Sequence, residues 1–282
     1  MAKTETYYVA FIDILGFSEL IRKYDKGLLP NVLNDLKSAL DNATDFLKTD
    51  YVKEEDAFHW KKYLKVHLFS DCLCAALPIN INFNDTFHNF VFFAMYISTY
   101  QNLLMEKGFF ARGGISIGSF YSDENMIFSG ALVESVELEK KAVFPRILID
   151  EKLIEAIGNM KNKDSDFILE MFAKDEDNLL FLNNFNVNKL SNLVLKKNLE
   201  KIRLTNPDFA REMESKMKLT NDFEIKDNAE FVAKIKKNIK VALVENQSVE
   251  RVFQKYLWLK SYFDWTCNPI HNRRSFKKTQ TL

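Results

Sequence analysis

The chain has 282 residues, 47% of them apolar and 25 of them Phe, enough for a substantial core in one large domain or one domain with a sizeable extension. Its 39 basic residues balance 39 acidic ones, so no global charge draws it to nucleic acid or to a membrane surface. Cys72, Cys74 and Cys267 form neither a disulfide framework nor a zinc pattern, and no apolar run reaches the ~20 residues that span a bilayer. With no signal-peptide pattern in MAKTETYYVAF, the expected setting is a reduced cytoplasm.

In chain order, Tyr7–Asp13 is rich in aromatic and branched residues and reads as a strand closed by Gly16. Ser18 is placed to cap a short helix through Tyr24. Pro30 opens a second helix, on which Leu33, Leu36, Leu40, Ala43 and Leu47 recur at helical spacing. The charged stretch KEEDAFHWKK reads as a loop. Leu64–Leu77 reads as a hairpin with a tight connection around Ser70 and Asp71. A long helix starts at Asn84 or Asp85, with Phe87, Phe90, Val91, Ala94, Ile97 and Leu104 inward. The strand ARGGISIG follows, its glycines admitting another backbone or a ligand. Met126–Phe128 is a short strand, Gly130–Lys141 a helix, and PRILID from Pro145 one more strand. Strands, hairpin and helices in this mixed order predict an α+β fold rather than a doubly wound parallel sheet.

After about Met160 the character changes. MKNKDSD is a polar loop, NLLFLNNF a late strand, and the remainder is lysine-rich and helical. Phe231, Val232, Ile235, Ile239 and Leu243 form one amphipathic stripe; Val249, Val252, Phe253, Tyr256 and Leu259 form another. Such stripes read as core or dimer contact, and the tail from Asn272 as disordered. The organisation expected is a domain over residues 1–160 and a mainly helical extension over 161–282.

Alternation along the strands singles out two aspartates. Tyr7, Val9, Phe11 and Asp13 share one face; Lys65, His67, Phe69 and Asp71 share another. Either aspartate alone reads as a strand cap or turn former. Together, beside a small-residue turn, they suit Mg²⁺ or Mn²⁺, which take one or two carboxylates plus substrate phosphates. The amides of Leu15, Gly16 and Phe17, at a helix start, suit phosphate oxygens. Cys72 and Cys74 read as small buried hydrophobes on one face. Glu134, Glu137 and Glu139 read as a solvated helix face, and His59, His88 and His271 show no ligand spacing. No Ser/His/Asp, Walker or GxGxxG pattern is evident.

In order, FIDILGF, SDCLCAA, RGGISIG, FSGALVESVELE and PRILID resemble the class III nucleotide cyclase catalytic domain over roughly residues 5–155. The RGG and PRI elements look most like the bacterial pyrimidine nucleotide cyclases of Pycsar antiphage systems. The resemblance implies a ferredoxin-like α+β domain, a head-to-tail homodimer with composite active sites, and two bound Mg²⁺ or Mn²⁺ ions. It implies that Asp13 and Asp71 are the metal-binding aspartates, with the Ile14 carbonyl as a further ligand. The implied reaction turns a nucleoside triphosphate into its 3′,5′-cyclic nucleotide and pyrophosphate, and a downstream cyclic-nucleotide-binding effector reads the product.

Three positions depart from the purine enzymes of that family. His67 stands where they carry a base-reading Lys or Glu, and Ile127 near their second base reader. Glu134 and Leu138 stand where they carry a transition-state Asn and Arg. The first two departures favour a pyrimidine, UTP or CTP, over an unusual adenine or guanine pocket. The third implies another phosphate-neutralising residue or a silent, nucleotide-sensing domain. Arg112 is the first candidate replacement, because its strand runs toward the site; Arg146 is the second.

Overall fold

Glu5–Ile14, dense in aromatic and β-branched side chains, forms the central strand β1, around which the candidate site is built. The computed structural model describes residues 2–46, 60–80, 86–159, 168–187, 203 and 207–267. On one side β1 pairs antiparallel with β3 (Cys72–Pro78), and on the other with β4 (Ala111–Ser122). Outside β3 lies β2 (Lys65–Phe69). β5 (Ile127–Ser129) pairs with the end of β4. Outside β4 come β6 (Ile147–Ile149), then β8 (Leu180–Leu182) and β7 (Phe172–Lys174). Only β4–β6 is parallel among the described pairs, so this eight-stranded sheet is mixed and mostly antiparallel, as the element order led one to expect.

The helices are α1 (Phe17–Asp25), α2 (Val32–Phe46), α3 (Trp60–Tyr63), α4 (Thr86–Glu106), α5 (Gly130–Lys141), α6 (Glu151–Gly158), α7 (Pro207–Glu245) and α8 (Glu250–Cys267). α4 buries Phe90, Val91, Ala94, Ile97 and Leu104 in one cluster with Tyr8, Ala10 and Ile12 of β1. α5 covers the other face, where the Ser135 hydroxyl donates to the Val9 carbonyl at 2.9 Å. A Cβ on Gly114 would lie 2.4 Å from the Leu138 Cβ, and one on Gly113 would lie 2.4 Å from the Phe11 carbonyl oxygen. The glycines of ARGGISIG therefore admit the chain's own helix and strand rather than a ligand.

Several sequence expectations are corrected. Gly16, not Ser18, caps α1. On α2 the expected stripe holds at Leu36, Leu40 and Ala43, which meet the core together with Val32 and Ala39, while Leu33 is exposed. The boundary at 160 falls inside one continuous sheet, since β8 pairs with β6. On α8 the fully buried line runs through Trp258, Leu259 and Tyr262, while Val249 is exposed. The α7 stripe holds: Ile235 and Ile239 are buried in a cluster with Phe110, Leu148, Phe181 and Trp258.

That cluster surrounds Arg146, only 2% exposed, which pairs with Asp175 and Asp177. The Trp258 indole donates to Asp175 Oδ2 at 2.8 Å, and the guanidinium lies over the Phe144 and Trp258 rings. Arg146 thus ties the C-terminal helices to the sheet, and the expectation that it neutralises a phosphate is withdrawn because its charge is already enclosed. Among the described residues no helix is long and apolar enough to cross a membrane. Leu47, most of the KEEDAFHWKK loop, His59, the helix start at Asn84 or Asp85, MKNKDSD, His271 and the tail from Asn272 lie outside the described residues, as do the Phe87 and His88 side chains.

Candidate functional site

Strand register assembles the site. Phe69 pairs with Cys72, Cys72 with Asp13, and Asp13 with Arg112, so one row of side chains crosses four strands. Directly opposed side chains in antiparallel pairs stand ~5 Å apart on one face. Asp71 joins from the two-residue turn between β2 and β3, where Ser70 adopts φ 57°. The turn is held to the end of β1, because the Ile14 amide donates to the Asp71 carbonyl at 3.1 Å. One ligand atom each from Asp13, Asp71 and Cys72 lies within 4.8 Å of the others. Cys74 is the buried hydrophobe expected, but Cys72 is not: its Sγ lies 3.6 Å from Asp71 Oδ1 and 3.9 Å from Asp13 Oδ1.

Arg112 Nε lies 3.3 Å from Asp13 Oδ2 and 2.6 Å from Glu139 Oε1. The second contact is an ion pair whose N–H is not aimed along it, since Glu139 Oε1 has no formed hydrogen bond. Glu139 is buried, against the expectation of a solvated face; Glu134 and Glu137 are exposed and pair with Lys152 and Lys140. The overlooked signal was spacing: Ala131, Ser135 and Glu139 recur every four residues on the face of α5 that meets the sheet. Leu138 packs in the cluster around α8, so neither Glu134 nor Leu138 offers an Asn- or Arg-like group to the row.

The electrostatics follow from burial. Desolvation raises the proton affinity of Asp13, with Arg112 opposing and Asp71 adding to it. Glu139 is raised for the same reason, again against Arg112 and with Asp13 adding. The Cys72 thiol is pushed up to about 12 by burial, then by Asp71 and Asp13. Negative charge is crowded here with only partial relief from Arg112, a situation a divalent cation relieves. The donor set fits such an ion: two carboxylates suit Mg²⁺ or Mn²⁺, and the sulfur makes the set softer than carboxylates alone.

The ILGF turn lies beside this row. Gly16 sits at φ +76°, left-handed backbone that favours glycine, and its carbonyl accepts from the Glu19 and Leu20 amides. The Leu15 amide donates to the Phe110 carbonyl at 2.8 Å, so its expected phosphate role is corrected: that donor is used within the fold. The Gly16 and Phe17 amides have no acceptor among the described residues.

His67 pairs with Cys74, one step along the same face from the Asp13 row, ~7 Å away along the strand. Its ring is nearly parallel to Phe69 (6.3 Å, 11°). Burial, then Lys65, lowers its proton affinity, which favours the neutral imidazole with its one donor and one acceptor. Ile127 packs with the cluster around Tyr7 and Phe120.

No protein-family model matches this chain. No curated protein matches it in sequence. A solved structure described as a Class III adenylyl cyclase-like ATP-binding protein from Pseudomonas aeruginosa is similar to it at TM-score 0.39 and 12% identity, covering 58% of this chain and 38% of that one. The α+β fold is carried by this chain's own strand order and register.

Proposed function

We propose that this chain is a nucleotide cyclase converting UTP or CTP to the 3′,5′-cyclic nucleotide and pyrophosphate. The reading is supported above all by the convergence of Asp13 and Asp71 beside Arg112 and the Gly16 turn. Asp13 and Asp71, with the Ile14 carbonyl, would hold two Mg²⁺ or Mn²⁺ ions, whose charge there would acidify the ribose 3′-hydroxyl and offset charge on the leaving pyrophosphate. The 3′-oxygen bonds to the α-phosphorus as the bond to the pyrophosphate oxygen breaks, and the hydroxyl proton passes to water. The Nη nitrogens of Arg112, which donate no hydrogen bond among the described residues, form a fork suited to phosphate oxygens. The Gly16 and Phe17 amides take a second set of those oxygens. His67 reads the edge of a single-ring base with its one donor and one acceptor.

The working form is a head-to-tail homodimer with composite sites, for which exposed Phe69, Phe128 and Val133 supply apolar surface. The product acts as a second messenger in antiphage defence, sensed by a cyclic-nucleotide-binding effector. A second reading, a silent nucleotide sensor, draws support from Glu134 and Leu138, which cannot do the work of the Asn and Arg they replace. The test is to incubate the purified protein with each of the four nucleoside triphosphates and Mn²⁺ and separate the products by chromatography. Cyclic UMP or CMP, lost in Asp71→Ala, is the expected result. Product from ATP or GTP alone sinks the pyrimidine assignment, and binding without turnover favours the sensor.

A further inference from the structure

The row of carboxylates is bordered on one side by the C-terminal helices. A cavity of about 530 Å³ lies between the ILGF turn, α1 and these helices, lined by Leu15, Gly16 and Lys23 on one wall and by Asn238, Lys255 and Tyr256 on the other. Both walls are fixed. The Asn238 side-chain amide donates to the Met105 and Glu106 carbonyls at 3.0 and 2.8 Å, which binds α7 to the end of α4. Tyr256 meets Phe110 edge-on at 5.2 Å, and Trp258, two residues further along α8, is held by Asp175.

Lys255 is half-buried on α8. It makes no hydrogen bond or ion pair among the described residues, although it interacts electrostatically with Arg112, Asp13 and Glu139. Burial, Arg112 and Arg251 lower its proton affinity; Asp13 and Glu139 partly restore it. Two acids also line the cavity, but Glu19 pairs with Arg22 at 3.3 Å, and Glu245 sits by Tyr256. A partly desolvated ammonium that faces a cavity, close to a carboxylate cluster and clasped by none of its members, is the arrangement an anionic ligand completes.

We propose that Lys255 is a phosphate-binding residue of this site, so that the C-terminal helix α8 completes the nucleotide pocket from within the same chain. The ligand class is a nucleoside triphosphate, with Lys255 on its triphosphate opposite the Gly16 turn. The proposal rests on the nucleotide reading above and extends it: the residues missing at Glu134 and Leu138 are replaced by a cation from an element outside the part of the chain that resembles the cyclases.

The experiment is calorimetric titration of the full-length protein with inorganic tripolyphosphate, with UTP and with Mn²⁺, for wild type, Lys255→Met and Lys255→Arg. Methionine keeps the apolar stem and removes the charge. Loss of a charge-assisted hydrogen bond is expected to weaken tripolyphosphate and UTP roughly tenfold to hundredfold in Lys255→Met, with most of the affinity kept in Lys255→Arg. Tripolyphosphate affinity within twofold of wild type in Lys255→Met overturns the proposal and leaves the nucleotide reading standing. The same holds if only Mn²⁺ affinity rises, which would mark Lys255 as a mere counter-charge for the carboxylates. If wild type binds neither tripolyphosphate nor UTP, both readings fall.

Discussion

Arg112 and Arg146 are near neighbours across two parallel strands, since the Gly113 amide donates to the Arg146 carbonyl at 3.0 Å. Each faces two acids, yet they do opposite work. Arg146 is sealed between Phe144 and Trp258, and both ends of its guanidinium are taken by Asp175 and Asp177. Arg112 keeps 25% of its side chain exposed, and its hydrogen bond to Asp13 is made through Nε. A buried, fully partnered charge is a staple; a partly exposed charge beside carboxylates that crowd one another has the marks of a site.

Removing each arginine tests that contrast. Arg146→Ala leaves Asp175 buried without its cation and is expected to destabilise the fold by about 3–5 kcal/mol, read from the urea midpoint. Arg112→Ala should lower the rate of cyclic nucleotide formation by ~10²–10³-fold. Its stability should fall by less than that of Arg146→Ala, because Arg112 is partly exposed and Asp13 and Glu139 already lean towards the protonated form. An Arg112→Ala as destabilised as Arg146→Ala, with unchanged turnover, would reverse the comparison. His67→Ala is a smaller change, expected to shift the ratio of UTP to CTP turnover by roughly tenfold, in keeping with one lost hydrogen bond. An unchanged ratio removes His67 from base reading.

The smallest effect concerns Glu139. Its folded-state proton affinity is raised, chiefly by burial, so the native state holds this proton more tightly than the unfolded chain does. Stability from this group is therefore present below the ordinary Glu pKa of about 4.3 and lost as pH rises through the raised value. Glu139→Gln should flatten the melting temperature between pH 4 and 8 and gain a little at neutral pH, ~2–4 °C for each 1 kcal/mol. A variant less stable than wild type at pH 8 would mean that the pair with Arg112 outweighs burial.

Much of the fold was legible because it is local. α5 matches its expected span at both ends, since Ser129 accepts from the Leu132 amide at 2.9 Å and caps it. The turn at Ser70 and Asp71, the face shared by Tyr7, Val9, Phe11 and Asp13, and the inward residues of α4 follow from periods of 2 and 3.6. Glu139 was missed although its spacing pointed inward, because a glutamate on a charged helix ordinarily faces water. Arg146 was misread because its acids lie on the segment leading to β8, beyond the resembling stretch.

By itself, then, the sequence determined most of the element order, though not α3, α6 or β7, the placing of Asp13 and Asp71 near the ends of apolar strands and the left-handed turn that Gly16 permits, since each depends on near neighbours along the chain. Only the tertiary structure decided which charges meet. Register set Asp13 between Cys72 and Arg112, and the close approach at Gly114 brought Glu139 in from α5. The packing of Trp258 carried Lys255 to the edge of the site. Those pairings join residues far apart in the chain, and their energies depend on burial, which no local pattern encodes.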